Sequence, residues 1–487
     1  MQKLPDIQKN FPEWYQEVVY QAELSDNAPV RGCMVVRPYG WAIWENIRDY
    51  LDARIKATGH ENAAFPLLIP ESFLKREAEH VKGFAPELAV VTHAGGKELE
   101  EPLVVRPTSE TIFYFMFSKW IKSYRDLPLK LNQWASVVRW EMRPRPFIRS
   151  TEFFWQEGHT AHATYEEAQS EALLMLNEYV QLAQSHLAIP VLVGEKSASE
   201  KFAGAERTYT FEGIMPDGKA LQMGTSHMLS QSFAEAFEVR FQDQNGQMAY
   251  PYFTSWGATT RLVGALIMTH GDQNGLVLPP KVAPIQVVII PILRGDITEK
   301  NNIVLAAQNL ADQLKLAGVR VKLDLDEHKT PGAKFYKWEL KGVPLRIELG
   351  PKDLVANQVI ITDRLDSQKT ILAWSEIVAH VTTKLEFLQA EMFKRAEIKF
   401  KQNLTSGAKL AEFGAELAGV AVPDEAPQHT AQTGGAYQTG WCNSPDCEAV
   451  LKNYKASIRC ILAEKTQASC FNCAEFSKSD VIVAKSY

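Results

Sequence analysis

The sequence predicts a mixed α/β (α+β) protein of several domains, and three observations predict it. Apolar residues recur at helical spacing in some segments and alternate in strand fashion in others, both kinds being mixed over roughly the first 280 residues. A proline-rich stretch, LVLPPKVAPIQVVIIP (276–291), then opens a run in which strands and helices alternate. Five of the six cysteines fall in the last fifty residues, which marks a small tail of different character. A chain of 487 residues with 46% hydrophobic content suits about two to four domains and a sizeable core.

Charged residues make up 23% and the net charge is −6, so no global field draws the chain to nucleic acid, and an RNA partner must be met by local patches. The start, MQKLPDIQKNFPEWY, lacks the apolar core of a signal peptide, and VVIIPIL (287–293) is too short to span a bilayer. A cytoplasmic enzyme with no membrane partner is the expectation.

Trp44, Ile47, Leu51 and Ile55 share one helical face before Gly59 stops the turn, and FPLLIP (65–70) reads as a strand. Thr164 and Glu167 form a capping box that opens a long helix through Met175, Tyr179, Leu182 and Ala183. Neither GxxxxGK[ST] nor a strand-linked GxGxxG occurs, which argues against a P-loop or Rossmann nucleotide site. After the proline-rich hinge, Ile303, Ala306, Leu310 and Leu314 lie on one helical face that Gly318 caps. VRVKLDLD (319–326), LRIELG (345–350) and QVIITD (358–363) supply strands, with helical KFYKWELKG among them, which predicts an α/β domain with a parallel or mixed sheet. Residues 370–403 read as a long helical stretch, and the Ala/Gly/Thr/Gln-rich segment 419–440 as a loop. No internal repeat is visible.

Six cysteines in so long a chain are no disulfide framework. Cys442-x4-Cys447 and Cys470-x2-Cys473 suit a tetrahedral structural zinc site; the alternative is a set of reduced, buried thiols. Cys33 and Cys460 read as core residues.

The densest chemistry lies in RWEMRPRPFIRSTEFFWQEGH (139–159), where Arg139, Arg143, Arg145 and Arg149 precede a run of aromatics. Charge runs usually mark a solvated face, but Arg139 and Arg149 each sit beside apolar, strand-like residues, where an arginine usually holds an anion. VVRPTSET (104–111) lies upstream; LQMGTSHMLSQSF (221–233) and TSWGATTRLVGALIMTHGD (254–272) lie downstream.

Taken together these segments carry a family resemblance. RWE…FIRSTEFFWQEGH resembles motif 2 of class II aminoacyl-tRNA synthetases, GATTRLVGALI resembles motif 3, and GHENAAFPLLIP (59–70) occupies the place of motif 1. PTSE, WQEGH, TSH and PGAKFYKWELKGVPLRIELGP resemble the prolyl-tRNA synthetases, most closely the archaeal/eukaryotic-like type with a zinc-bearing tail, over nearly the whole chain. The resemblance implies an antiparallel-sheet catalytic domain over 1–282, an anticodon-binding α/β domain over 283–400, and a small zinc-bearing C-terminal α/β domain over 401–487. It implies ATP-dependent attachment of proline to tRNA(Pro) through a prolyl-adenylate, with ATP, L-proline and tRNA(Pro) as partners, Mg²⁺ accompanying ATP, no DNA partner, and a homodimer. The rivals are another class IIa synthetase, threonyl being nearest, and a non-catalytic tRNA-binding paralogue. The first would ligate a metal within its catalytic domain, where Cys33 is the only cysteine; the second should have lost Arg139, Glu141 and Arg261.

Residue roles follow from the resemblance and its chemistry. Activation brings a carboxylate to the α-phosphate of ATP, two anions that repel until cations screen them. Arg139 and Arg261 suit the α- and γ-phosphates through bidentate bonds and are the expected catalytic pair. Glu141 suits the adenine amino group, and one of Phe153 and Phe154 can stack beneath the base. The resemblance adds Arg149 and Ser150 near the nucleotide, Gln222 and Thr225 near ribose and phosphate, and Thr259 beside Arg261. For proline, Glu110 suits the secondary ammonium, with Thr108 accepting a second bond and Arg139 touching the carboxylate. Trp155, Glu157 and His159 wall the ring pocket, His227 and Ser255 match pocket positions, and Phe84 belongs to a loop over the site. Without that context Trp155 and His159 read as core residues, and Glu110 as an acid at a helix N-terminus. Glu327, Lys334, Phe335, Trp338 and Lys352 are the candidates for reading anticodon bases, with helix core an equal reading for Phe335 and Trp338. No domain-sized insertion separates His159 from Gln222, so the editing domain of bacterial-type relatives is expected to be lacking. In this family the C-terminal tyrosine, here Tyr487, reaches back toward the active site.

Overall fold

The computed structural model describes residues 3–74, 88–418 and 435–487. Phe84 and most of the predicted loop 419–440 therefore lie outside the described residues. One eleven-stranded sheet runs through the first and last parts of the chain. Its first seven strands are β1 (Glu61–Asn62), β2 (Leu129–Val138), β3 (Glu152–His162), β4 (Leu192–Glu195), β5 (Arg207–Ile214), β6 (Ala220–Ser230) and β7 (Tyr252–Thr259). In space they run β4-β5-β6-β7-β3-β2-β1, every pair antiparallel except β2 with β1.

Helices α1 (Phe11–Gln21), α2 (Pro38–Ala57), α3 (Glu110–Trp120), α4 (Tyr165–Gln181) and α5 (Arg261–His270) surround this sheet. Trp44, Ile47, Leu51 and Ile55 of α2 are buried, as their spacing predicts, and Gly59 follows at φ +86°. The capping box of α4 is formed on both sides: the Glu167 N–H donates to Thr164 Oγ1 at 3.2 Å and the Thr164 N–H to Glu167 Oε2 at 3.3 Å. Trp14, Trp44, Tyr179 and Trp256 belong to one large core shared by these helices and the sheet. Gly158 makes that packing possible. It sits opposite Trp256, and a Cβ there would lie 2.1 Å from the indole ring.

FPLLIP is a strand only over Leu68–Pro70, in a separate three-stranded sheet. The Phe65 N–H is taken by Gln133 Oε1 at 3.0 Å and Pro66 has no N–H, so pairing starts two residues on. The proline-rich hinge is a packed connector: Leu276–Pro280 are buried, and the Leu276 and Leu278 N–H groups bond the Leu340 and Gly342 carbonyls. Arg364 locks the same junction with a bidentate pair to Asp272 at 2.6 and 2.7 Å.

Beyond it lie β8 (Val287–Pro291), α6 (Ile297–Leu316), β9 (Val321–Leu323), α7 (Pro331–Leu340), β10 (Leu345–Leu349), β11 (Gln358–Asp363), β12 (Lys369–Ala373) and α8 (Ile377–Gln402). The sheet order is β9-β8-β10-β11-β12, parallel across the first three strands and antiparallel across the rest, the mixed sheet expected. Two segments differ from expectation. VRVKLDLD leaves the sheet after Leu323 because Asp324 turns inward to accept the Trp338 Nε1–H at 2.6 Å. The predicted helix from 370 begins only at Ile377, since 369–373 pair with β11 as a hairpin that turns through Ser367 at φ +56°.

The tail comprises β13 (Leu404–Ser406), α9 (Leu410–Ala418), β14 (Ala436–Trp441), β15 (Ser457–Ile461) and β16 (Ser479–Ala484). Residues 436–440 are thus strand where loop was expected. The tail strands extend the large sheet by pairing Ile461 with Glu195 of β4. Gly194 allows that approach, because a Cβ there would stand 2.3 Å from the Ile461 carbonyl oxygen.

Candidate active site

A cavity of about 420 Å³ opens on the face of the large sheet toward which alternate residues of β3, β6 and β7 point. Period-two alternation sends Phe153, Trp155, Glu157 and His159 of β3 into it, with Ser255 and Thr259 of β7. Gln222 and Thr225 of β6 have opposite parity, yet both line the cavity. A bulge reconciles them: Gly224 pairs with Phe211 and Gln222 with Glu212, so Met223 is the extra residue. Thr108, Glu110, Arg139, Glu141, Arg149, Ser150, His227 and Arg261 complete the predicted set on its walls. Phe154 is the exception. It points to the opposite face and packs edge-on against Trp41 at 4.8 Å, because neighbouring strand residues cannot share a face.

One end of the cavity is cationic. Arg261 opens α5, donating from Nε to the Ile148 carbonyl and from Nη1 to the Gln222 carbonyl, both at 3.0 Å, while its own N–H bonds Thr259 Oγ1 at 2.9 Å. Carbonyl oxygens orient the guanidinium without cancelling its charge. Burial, with Arg149 and Arg139 nearby, pushes its pKa down to about 10, still protonated at neutral pH. Arg139 donates from Nε to the Pro107 carbonyl at 2.9 Å and lies over the Phe153 and Trp155 rings at 5.5 and 5.4 Å. Arg149 stands 3.7 Å from Glu141 and donates to the Tyr487 main-chain oxygen at 2.7 Å. Tyr487 is anchored by its N–H on the Ala220 carbonyl and flanked by Lys219 and Arg145. Ser150 Oγ and Ser255 Oγ are buried without a protein partner among the described residues.

The other end is acidic, apolar and almost wholly buried. Glu110 is the first residue of α3, so it meets the helix N-terminus and lines the cavity at once. The Thr108 hydroxyl donates to Glu110, which leaves the hydroxyl oxygen able to accept. Glu157 accepts from Ser109 Oγ at 2.6 Å and Gln133 Nε2 at 2.5 Å, and His159 Nε2 lies 3.0 Å from its other oxygen. Burial raises the Glu157 pKa, but these bonds and the His159 charge outweigh it and hold the carboxyl below its ordinary value. His159 is braced by Phe113 at 4.1 Å and by Tyr114, so the core and the pocket readings of this residue both apply. His227 is clamped between Thr208 Oγ1 at 3.0 Å and Thr225 Oγ1 at 2.9 Å and stacks on Phe202 at 4.5 Å. Burial, then the His159 and Arg139 charges, push its pKa down to about 3, so it is neutral.

Phe202, Thr208, Ser109, Gln133 and Lys196 were not anticipated. Alternation in RTYTFEGI puts Thr208, Thr210 and Glu212 on one face, but nothing in the sequence says that this strand lies beside β6.

In the α/β domain Glu327 and Lys352 are exposed, and Phe335 lies under Arg346 at 4.3 Å. Lys334 and Trp338 are turned inward. Lys334 Nζ bonds the Asp324 carbonyl at 3.0 Å and Trp338 bonds the Asp324 carboxylate, which ties both into the fold instead of presenting them to a base.

In the tail the Cys442, Cys447, Cys470 and Cys473 sulfurs lie within 4.8 Å of one another. Cys442 Sγ is 3.7 Å from both Cys447 Sγ and Cys473 Sγ. Sulfurs bound tetrahedrally at the zinc–thiolate distance stand about 3.8 Å apart, so the set fits zinc. Cys460 is fully buried, its thiol pushed up to about 12 by burial, while Cys33 is only partly buried.

Three family profiles match in order: the tRNA synthetase class II core domain (G, H, P, S and T) over residues 91–270, the anticodon binding domain over 286–384, and the prolyl-tRNA synthetase C-terminal domain over 423–487. Proline--tRNA ligase 2 of Clostridioides difficile (strain 630) is 47% identical over 490 residues, covering 100% of this chain and 98% of the relative. The chain belongs to the prolyl-tRNA synthetase family. The chloroplastic/mitochondrial proline--tRNA ligase of Arabidopsis thaliana is 49% identical, covering 98% of this chain and 87% of the relative. The proline--tRNA ligase of Borreliella burgdorferi (strain ZS7) is 47% identical and 98% covered on both sides. Within this prolyl-tRNA synthetase chain, residues 160–221 are filled by the end of β3, α4 and strands β4 and β5 of the large sheet.

Proposed function

We infer that the chain activates proline with ATP as prolyl-adenylate and transfers it to tRNA(Pro). The observation that carries this reading is a single cavity with arginines at one end and buried carboxylates at the other. An α-amino acid lying along it presents its ammonium to the acids and its carboxylate to the arginines. A proline carboxylate oxygen then bonds to the α-phosphorus as the bond to the β-phosphate breaks and pyrophosphate leaves. Full-length relatives named proline--tRNA ligase support proline over threonine.

Arg139 and Arg261 screen the approaching anions and stabilise the charge that develops on phosphate. Mg²⁺ enters with ATP and shares that screening. Glu141, Arg149, Ser150, Phe153, Gln222, Thr225 and Thr259 shape the nucleotide end, with Phe153 stacking on the base. Glu110 and Thr108 take the two N–H groups of the secondary ammonium, while Trp155, Glu157, His159, His227 and Ser255 enclose the ring. The Tyr487 main-chain oxygen holds Arg149 in place. Residues 1–282, 283–400 and 401–487 form the catalytic, anticodon-binding and C-terminal domains. Glu327, Phe335 and Lys352 face the anticodon, with Lys334 bracing them from behind.

The four tail thiolates hold one structural zinc, since four protein ligands leave no open position for substrate. A cytoplasmic setting suits them, because a reducing compartment keeps thiols in ligating form. A homodimer is supported by apolar side chains exposed on and beside the small three-stranded sheet, Leu67 at 45%, Val90 at 48% and Trp120 at 45%. Charging assays test the reading: purified enzyme with ATP should attach labelled proline to tRNA(Pro), and no charging would refute it. Metal analysis should return one zinc per chain in active enzyme; active, zinc-free protein would remove that assignment.

A further inference from the structure

Two cations from distant parts of the chain close on one buried carboxylate behind the pocket wall. Glu212 of β5 is fully buried. Lys196, just past β4, donates from Nζ to Glu212 Oε1 and to the Arg459 carbonyl, the latter at 2.7 Å. Arg459, on β15 of the tail, donates from Nε to Glu212 Oε2 at 2.9 Å and from Nη2 to Oε1 at 3.2 Å. The placement bears on the site. Glu212 pairs in register with Gln222 at the β5–β6 bulge, and the Gln222 carbonyl is what holds Arg261. Lys196 lines the cavity, and so does Glu200, which stands 3.8 Å from Arg459. Part of the charge that balances this wall therefore comes from the tail.

We propose that Arg459 is a positioning residue for adenylate formation: by clamping Glu212 it fixes the strand pair that carries Gln222 and Arg261 and keeps Lys196 at the cavity surface. The tail is then a working part of the active site. This inference rests on the activation reaction proposed above. It also gives the continuous sheet a purpose, since the single pairing of Ile461 with Glu195 sets Arg459 and Lys196 side by side.

The test uses full-length enzyme and proline-dependent ATP–pyrophosphate exchange, normalised to active sites by burst titration. Arg459→Met should raise the ATP KM and lower kcat, together about 10²-fold, with the proline KM within about threefold. Arg459→Lys, which keeps charge but loses the fork, should fall between. A merely structural staple would lower Tm and the active fraction while leaving kcat and both KM values per active site within about twofold, and that result overturns the proposal. If Arg459→Met fails to fold, Arg459→Lys decides by the same criteria. Wild-type enzyme without proline-dependent exchange would overturn the underlying function instead, so the two failures are distinct.

Discussion

The two ends of the cavity are built by opposite means. At the cationic end, Arg139 and Arg261 are aimed by main-chain carbonyls of Pro107, Ile148 and Gln222. At the acidic end, Glu157 and His159 are locked to each other and to Ser109 and Gln133, and His227 is clamped between two threonines. At Arg261 the carbonyls fix position and leave the charge available for a phosphate. Side-chain networks fix position and protonation together, which suits a small ligand told apart by shape and one ammonium. The cationic end should tolerate substrate variation, and the acidic end should not.

The sharpest way to break the contrast is Arg261→Ala. Losing a charged contact to a transition-state phosphate costs about 3 kcal/mol or more, hence at least ~10²-fold in exchange rate, while proline binding measured without ATP should barely change. Glu110→Gln should do the reverse. A charge-assisted hydrogen bond is worth about 1.5–3 kcal/mol, so the proline KM should rise ~10- to 100-fold with the ATP KM nearly constant. If both variants raise both KM values alike, the ends are not separate. Deleting Tyr487 removes the oxygen that Arg149 bonds and should lower kcat/KM for ATP a few-fold, the ~1 kcal/mol expected of a part-exposed charged contact, without unfolding the protein. An unchanged enzyme would make the terminus incidental.

The mildest probe is pH. His227 has its folded pKa pushed down to about 3 from 6.5. His162, His186 and His270 are pushed down to about 4, burial being the leading cause in each. The unfolded chain thus binds more protons than the fold below pH 6.5. The stability these neutral rings provide is fully present above that value and is lost as pH falls toward 4. Calorimetry should show Tm declining from pH 6.5 downward; a flat Tm between 6.5 and 5 would contradict their buried, neutral state.

Much of this was legible in the sequence because the signals were local. The Thr164–Glu167 box, the α2 apolar face and the paired cysteines each declare themselves within a few residues. The roles along β3 required a family resemblance, yet its alternation separates Phe153 from Phe154 without one. What stayed hidden was set by contacts across the fold. The Met223 bulge depends on β5, the inward turn of Lys334 depends on Asp324, and the 369–373 hairpin depends on the edge that β11 offers. The clamp on His227 and the reach of the tail to Glu212 join residues up to 247 apart in sequence.

The central claim is that one cavity joins a carboxylate held at its arginines to an ammonium held at its acids. ATP–pyrophosphate exchange with the amino acids supplied one at a time tests it most directly. The account predicts strong exchange with proline, weak exchange with alanine or cysteine, which keep the ammonium and carboxylate but lose ring contacts worth ~1–3 kcal/mol per methylene, and none with threonine above background. Exchange driven by threonine, or none with proline, would contradict it.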